Sequence, residues 1–350
     1  MKIAPIVRAI EAARERGTTF KARLVHTGQH YDQTLSGRFF DELELPLPDV
    51  NLEVGSGSQA EQTGAIMCGY ERLIARDKPD LCVVVGDVTS TMACAITAQK
   101  MGVPVAHVEG GIRSGDWRMP EEINRLVTDA VTDYFFTTSE TANANLRASG
   151  VSDERIFFVG NTMIDSLLRH LSELKEPAVW QDARLQVGEY FVLTLHRPSN
   201  VDDPNGLSCL LHGIVDNARD NVVVFPVHPR TNKTLEAIGE LPIQLRRVEP
   251  LGYLEFNYLV KHARAVITDS GGVTEEATVL GVPCLTLRDT TERPETVTIG
   301  TNELVGTDPS ALPSYFERLF AGTWKKGGVP PLWDGRAAER IVECLEQLLA

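Results

Sequence analysis

Ala265-Val266-Ile267-Thr268-Asp269-Ser270-Gly271-Gly272-Val273-Thr274-Glu275-Glu276-Ala277 is the stretch that decides the fold. Its first four residues are apolar or β-branched and read as a buried strand. Ala277-Thr278-Val279-Leu280 reads as a helix, so the segment is a strand–turn–helix unit. Two glycines at the turn let the backbone come close to a ligand. The helix N-terminus beyond them offers unpaired N–H groups and the positive end of a dipole, which suits a phosphate. Glu276, one turn in, is placed to accept hydrogen bonds from sugar hydroxyls. The segment reads as a seat for a nucleotide diphosphate. An ordinary βα turn, with glycine for tightness and acids for the helix dipole, accounts for the same residues when they are taken alone.

The same pattern runs outward in both directions. Apolar runs at Ala22–His26, Leu81–Gly86, Val103–Val108, Tyr134–Thr137 and Ile156–Val159 alternate with helical stretches. A second set follows at Phe191–Leu195, Val222–Val227, Gln244–Val248, Ala265–Thr268 and Cys284–Leu287. Strands alternating with helices are the mark of parallel α/β sheets. The expected architecture is therefore α/β, with two doubly wound Rossmann-like domains and the active site in the cleft between them. The boundaries read as residues 1–168, residues 187–336, and a last helix at 337–350 that packs back on the first domain. Leu167–Gln186, partly charged and containing proline, reads as the linker. The chain opens on Met1–Ala13, where Ile3, Ile6, Val7 and Ile10 recur at helical spacing.

Bulk properties narrow the classes. A chain of 350 residues has room for two cores, and 43% hydrophobic with 23% charged residues argues against long disorder. A formal charge of −14 disfavours nucleic acid and anionic membranes as partners, so a phosphorylated ligand must be met by local groups. The sequence has no membrane-length apolar run and no leader, which reads as cytoplasmic. Cys68, Cys82, Cys94, Cys209, Cys284 and Cys344 show no CxxC spacing and read as reduced thiols. Zinc and EF-hand spacings, GxGxxG and Walker A are all missing, so no metal is expected and nicotinamide-cofactor and P-loop readings fall away.

Ligands in doubly wound sheets bind beyond the carboxyl ends of the strands, and the polar residues gather there. Asp87 follows Val83-Val84-Val85-Gly86 and reads as a base, a ligand-binding group or an N-cap. Glu109 ends the strand at Val108, and Gly110-Gly111 after it give an open loop. In Met119-Pro120-Glu121-Glu122-Ile123-Asn124-Arg125, proline and two acids start a helix, which is good capping chemistry. Asp87, Glu109 and Glu121 are also able to converge, and carboxylates held close push one another's pKa values apart into an acid and a base. His196-Arg197 places two cationic donors at a strand end, suited to a departing diphosphate. His228-Pro229-Arg230 repeats the arrangement, with capping by Thr231 or Asn232 as the simpler account. Thr290–Thr296 forms a polar loop that includes Arg293.

Taken together these segments resemble the non-hydrolysing UDP-N-acetylglucosamine 2-epimerases, a GT-B-like family. The residues that carry the resemblance are Thr27-Gly28-Gln29-His30-Tyr31-Asp32, Gly86–Thr91, His107–Gly115, Met119–Arg125, Val159–Thr162, Leu195-His196-Arg197, Pro226–Pro229, Asp269–Ala277 and Glu292–Glu295 leading to Gly300-Thr301-Asn302. The resemblance implies interconversion of UDP-GlcNAc and UDP-ManNAc: C2 loses its proton, UDP is expelled to leave a bound 2-acetamidoglucal, and UDP re-adds. It makes Asp87, Glu109 and Glu121 the acids of the catalytic centre, with base and acid unassigned, and His196 the group that steadies UDP. Ser270, Gly271 and Gly272 would hold the diphosphate and Glu276 the ribose. Arg125, Arg197, His228 and Arg293 are further substrate-binding candidates. No cofactor is implied, and the family implies a homodimer.

Two departures stand out. The family opens with a strand and a Gly-Thr-Arg-Pro-Glu-like loop ahead of the position of Lys2. The expectation is that Met1 is an internal methionine and that a central strand precedes it; without that strand the sheet has unpaired ladder groups. The second departure is read at Asp32, an open position of the Gln-His-x-x-Gln pattern of substrate-activated members that Gln29-His30-Tyr31-Asp32-Gln33 otherwise matches, so such activation is not expected. Two alternatives accompany the main reading: a 2-epimerase of a modified UDP-HexNAc, and a nucleotide-sugar-binding protein without turnover.

Overall fold

The computed structural model describes residues 1–28, 42–227 and 229–350. They divide into two compact units: Met1–Arg169 with Pro331–Ala350, and His170–Pro330.

The second unit is built on a six-stranded, all-parallel sheet. Its strands are β7 (Tyr190–Thr194), β8 (Val222–Pro226), β9 (Leu245–Val248), β10 (Ala265–Thr268), β11 (Cys284–Thr286) and β12 (Asn302–Leu304), in the spatial order β12-β11-β10-β7-β8-β9. The order reverses between β7 and β10, which is the topological switch point of a doubly wound sheet. Side chains alternate across each strand and so feed two cores. Phe191, Leu193, Phe225 and Ile267 face Leu207, Leu210, Leu211 and Ile214 of the helix Pro204–Asn217, and Phe316 of Leu312–Phe320. Tyr190, Val192, Val224 and Val266 face Leu259 and Val260 of Tyr253–His262, and Val273 and Ala277 of Gly271–Leu280. Residues 170–186 pack on this unit: Val179 and Leu185 join the second of these cores, and the Trp180 ring meets Tyr190 and Tyr258 edge-on.

The first unit holds a four-stranded parallel sheet, β3 (Cys82–Val85), β4 (Val105–Val108), β5 (Tyr134–Thr137) and β6 (Ile156–Phe158), in sequence order. A separate parallel pair is formed by β1 (Val25–His26) and β2 (Val50–Asn51). Strand β4 is buried along its whole length, whereas β3 pairs with β4 on one side and leaves Val83 exposed. The first helix, Ile3–Glu15, and the last, Ala337–Leu348, pack on each other. They put Ile6, Ala338, Ile341 and Leu345 against Ala106, Val108 and Phe136. The last helix is pinned at its start, where Ala337 N and Ala338 N donate to Asp165 at 3.1 and 2.7 Å. Burial lifts the Asp165 carboxyl to about 6. Trp333 is also buried and donates from Nε1 to Thr138 O.

Each strand expected from an apolar run is present: Tyr134–Thr137 and Ala265–Thr268 keep their expected bounds, β7 starts one residue earlier at Tyr190 and ends at Thr194, and the others are trimmed at one or both ends; the opening helix runs Ile3–Glu15. The short strands β2 and β12 carry no such run. No helix among the described residues is long and apolar enough to cross a membrane. Because Ile341 is fully buried in the core shared by the first and last helices, Ile341→Ala is expected to cost about 2–5 kcal/mol. Urea denaturation reads this as a lower midpoint; an unmoved midpoint would show that the last helix adds nothing to the first unit.

Candidate active site

In the first unit the strand ends carry the candidate acids. Glu109, one residue past β4, is buried and has a φ of +72°, a left-handed conformation that non-glycine residues rarely adopt. Its Oε2 accepts from Lys2 Nζ at 2.6 Å. Lys2 is a partner that the sequence reading did not single out, because 107 residues separate the two. The glycines after Glu109 serve close packing and not an open loop. A Cβ at Gly111 would lie 2.5 Å from the Ala142 carbonyl oxygen, and one at Gly110 would lie 2.9 Å from the Phe135 ring.

Asp87 does not cap the following helix, Thr89–Lys100: Val88 is the N-cap residue and no side chain caps it. The carboxylate instead faces Arg125 Nη1 at 3.6 Å, and Asn124 Nδ2 donates to the Asp87 carbonyl at 2.9 Å. Arg125 is nearly fully buried. Glu122 stands 3.3 Å from its Nε, yet none of its guanidinium nitrogens makes a hydrogen bond among the described residues. Pro120 opens this helix at its first position, as its sequence suggests. Its two acids then diverge. Glu121 is exposed, while Glu122 is buried and accepts from Ser114 N, Ser114 Oγ and Gly115 N. What stands beside Asp87 and Glu109 is thus cationic.

Beneath these groups lies a buried imidazole. His107 Nδ1 is 2.7 Å from Asp129 Oδ1 and its Nε2 is 2.8 Å from the Gly86 carbonyl. Asp129 also accepts from Gly111 N and from Arg113 Nη1. Both ring nitrogens face acceptors, so the ring satisfies both only as an imidazolium. Burial opposes that charge, but the bond to Asp129, its negative charge and the Gly86 carbonyl outweigh it and hold the His107 pKa above the usual value. Burial likewise opposes ionisation of Asp129, and His107 with Arg113 holds its pKa low.

In the second unit the groups gather at the switch point. Ser270 is the N-cap residue of Gly271–Leu280 and makes no side-chain capping bond. At Gly271 a Cβ would lie 2.7 Å from Glu292 Oε1, so any side chain there would force the Glu292 carboxylate to shift. His196 and Arg197, just past β7, are tied to Asp269, just past β10. His196 Nδ1 lies 2.8 Å from Asp269 Oδ1, and Arg197 Nε donates to the Asp269 carbonyl at 2.9 Å. Arg197 Nη2 is 3.6 Å from Glu292 Oε1, and Arg288 Nη2 is 2.6 Å from Glu292 Oε2. Burial works against the Glu292 charge, but Arg288, Arg293 and Arg197 bring its carboxyl down to about 2. The Arg293 guanidinium pairs with Glu275, both buried within the unit. Arg288, Glu275 and the role of Asp269 are additions to the sequence reading. His228, Gln29, His30 and Asp32 lie outside the described residues.

Glu276 is buried, with Tyr253 and Asn257 beside it, and Asn257 Nδ2 lies 3.5 Å from its Oε1. Burial raises its carboxyl from an ordinary 4.5 to about 7. Between those two values the native protein keeps a proton that the unfolded chain has released. Stability therefore falls as pH rises through this window, and the loss is complete above it at roughly 3 kcal/mol. Glu276→Gln is expected to gain stability over the parent between pH 5 and pH 8 by most of that amount. Calorimetric Tm values at both pH values measure this, and parallel shifts of the two proteins would refute it.

Residues 12–346 match the family described as UDP-N-acetylglucosamine 2-epimerase. A UDP-N-acetylglucosamine 2-epimerase of Methanocaldococcus jannaschii is 41% identical, over 99% of this chain and 95% of that one. A UDP-2,3-diacetamido-2,3-dideoxy-D-glucuronate 2-epimerase of Pseudomonas aeruginosa is 38% identical, over 94% of this chain and 92% of that one. The crystal structure of the Methanocaldococcus jannaschii UDP-GlcNAc 2-epimerase in complex with UDP-GlcNAc and UDP aligns with a TM-score of 0.89 at 41% identity, covering 99% of this chain and 96% of that one. The fold is of the GT-B-like kind, two parallel α/β units.

Proposed function

This chain belongs to the UDP-N-acetylglucosamine 2-epimerase family, and from that premise we infer that it is an isomerase interconverting UDP-GlcNAc and UDP-ManNAc. The reaction breaks the C2–H bond and the C1–O bond to the β-phosphate. The electron pair of the first becomes the C1=C2 double bond of 2-acetamidoglucal, and that of the second leaves on UDP. Return of UDP to C1, with a proton delivered to the opposite face of C2, gives the epimer. Oxidation state is unchanged, so no electron acceptor enters the balance.

Two demands follow, and the groups described above suit both. A weakly acidic C–H needs carboxylates to take and return protons, and Asp87, Glu109 and Glu121 are assigned that work. The leaving diphosphate needs stabilisation where its charge develops. Ser270, Gly271 and Gly272 at an uncapped helix start are assigned to it, with His196 and Arg197. The observation that carries the reading is this glycine-flanked helix start at the switch point, with His196 and Arg197 fixed through Asp269. Lys2 sets a positive charge beside Glu109. Arg125, a buried guanidinium without hydrogen bonds among the described residues, is suited to donate to a substrate oxygen. Glu276 is assigned to the ribose hydroxyls and Arg293 to holding Glu275 in place beside it.

A second reading, a diacetamido-uronate substrate, is favoured by the 38% identical Pseudomonas aeruginosa relative. A homodimer also belongs to the proposal; light scattering at about 77 kDa, twice the 38.5 kDa chain, supports it and 38.5 kDa speaks against it. So does a cytoplasmic setting, which suits six free thiols.

Incubation with UDP-GlcNAc in D2O, followed by NMR, tests the activity. Deuterium at C2 with a manno product is expected. Turnover of the diacetamido uronate alone would favour the second reading, and release of free N-acetylmannosamine would mean hydrolysis. Asp87→Asn, Glu109→Gln and Glu121→Gln are each expected to lower kcat by ~10²–10⁴-fold. A variant that keeps full turnover removes that residue from the acid–base set.

A further inference from the structure

We propose that Asp269 is a positioning residue for His196, fixing the imidazole so that Nε2 is the ring nitrogen presented to the leaving diphosphate. The proposal rests on His196 being the group that steadies UDP. Nothing in the resemblance or the comparisons gives Asp269 a task.

The geometry leaves the ring one choice. Asp269 is fully buried, and its carboxylate is surrounded by donors from one short stretch of chain. His196 N donates to both oxygens at 3.2 and 3.1 Å, Arg197 N donates at 3.0 Å, and Asn200 Nδ2 donates at 3.0 Å. Burial favours the neutral acid, but the His196 bond and charge, then the bonds from Arg197 and Asn200, outweigh it and hold this carboxyl below its usual range. Asp269 is therefore an anion with no proton to donate. His196 Nδ1, 2.8 Å from Asp269 Oδ1, must carry the hydrogen. With Nδ1 committed, chemistry falls to Nε2, and the His196 side chain is 46% exposed while its partner is inaccessible. When Nε2 donates to a phosphate oxygen, the carboxylate behind the ring offsets the positive charge.

The sheet makes this pairing possible. Strands β7 and β10 are hydrogen-bonded neighbours with Thr194 opposite Thr268, so the residues that follow both strands meet although 73 positions separate them. Asp269 also braces the backbone of His196 and Arg197, and a purely structural brace is the competing account. The two differ in what they require of the ring. A brace is indifferent to which ring nitrogen holds the hydrogen; the positioning role is not.

Long-range 1H–15N NMR on the full-length, histidine-labelled protein reads that difference directly. Neutral His196 is expected as the Nδ1–H tautomer with Nε2 bare. A bare Nδ1 in the wild-type protein would overturn the proposal without need of any variant. In Asp269→Asn the Nε2–H form is expected to gain population. Its kcat should fall at least ~100-fold while KM for UDP-GlcNAc moves less than about threefold. His196→Asn, Asp269→Asn and the double variant should fall to a common level, because residues acting as one unit are not additive. Losses that multiply would mean that Asp269 acts apart from His196. If His196→Asn keeps its turnover while the wild-type tautomer is as stated, the role given to His196 fails and the orientation by Asp269 stands.

Discussion

The Asp269 carboxylate closes the second unit where its sheet would otherwise come apart. At the switch point the chains leaving β7 and β10 turn to opposite faces; Asp269 N still donates to Thr194 O of β7, whereas the N–H groups of His196 and Arg197 turn to the Asp269 side chain. One buried anion takes the N–H groups of His196 and Arg197, the amide of Asn200 and the ring of His196. Removing it would leave several buried donors unsatisfied at once. The direction of His196 and the course of Arg197 both depend on that one residue.

The same economy governs the charged groups of each unit. A chain with a net charge of −14 meets anions through local cations, and several of those near the strand ends are paired. Lys2 faces Glu109, Arg113 faces Asp129, and Arg288 and Arg197 face Glu292. A buried charge is tolerable only with a partner, and breaking one side of such a pair costs more than the pair contributes. The pairs thus fix geometry more than they add stability. His107 extends the principle: an imidazolium between Asp129 and the Gly86 carbonyl ties the ends of β3 and β4 to the helix Pro120–Ala130, so the stretches carrying Asp87 and Glu109 share one support.

Much of this was readable in the chain itself, for a physical reason. Fully buried parallel strands are near-continuous apolar runs, so β4, β7 and β10 announce themselves, and the residues just past them are where ligands bind in doubly wound sheets generally. The edge strand β12 contains Asn302 and Glu303 and gives no such signal, and β2 is two residues long. Pairings across long separations were not readable. Asp269 looks like part of a phosphate-binding turn, and only the register of β7 against β10 shows that His196 is its partner. Lys2 looks like the start of an amphipathic helix until the fold brings it to Glu109. Glu121 and Glu122 are indistinguishable as first-turn acids. Their different fates, one exposed and one holding the 114–115 loop, come from which side of the helix meets the protein.

The left-handed backbone at Glu109 puts relief of strain, the Lys2 pair and the proposed chemistry in competition at a single codon. Any side chain there bears a conformational strain of about 1–3 kcal/mol that glycine would relieve. A library ranked by heat resistance alone would weigh that relief against the broken Lys2–Glu109 pair, and any glycine it enriched at 109 would lack an acid that the proposed reaction uses. Breeding a hardier version of this chain calls for a screen that scores product, with position 109 held fixed.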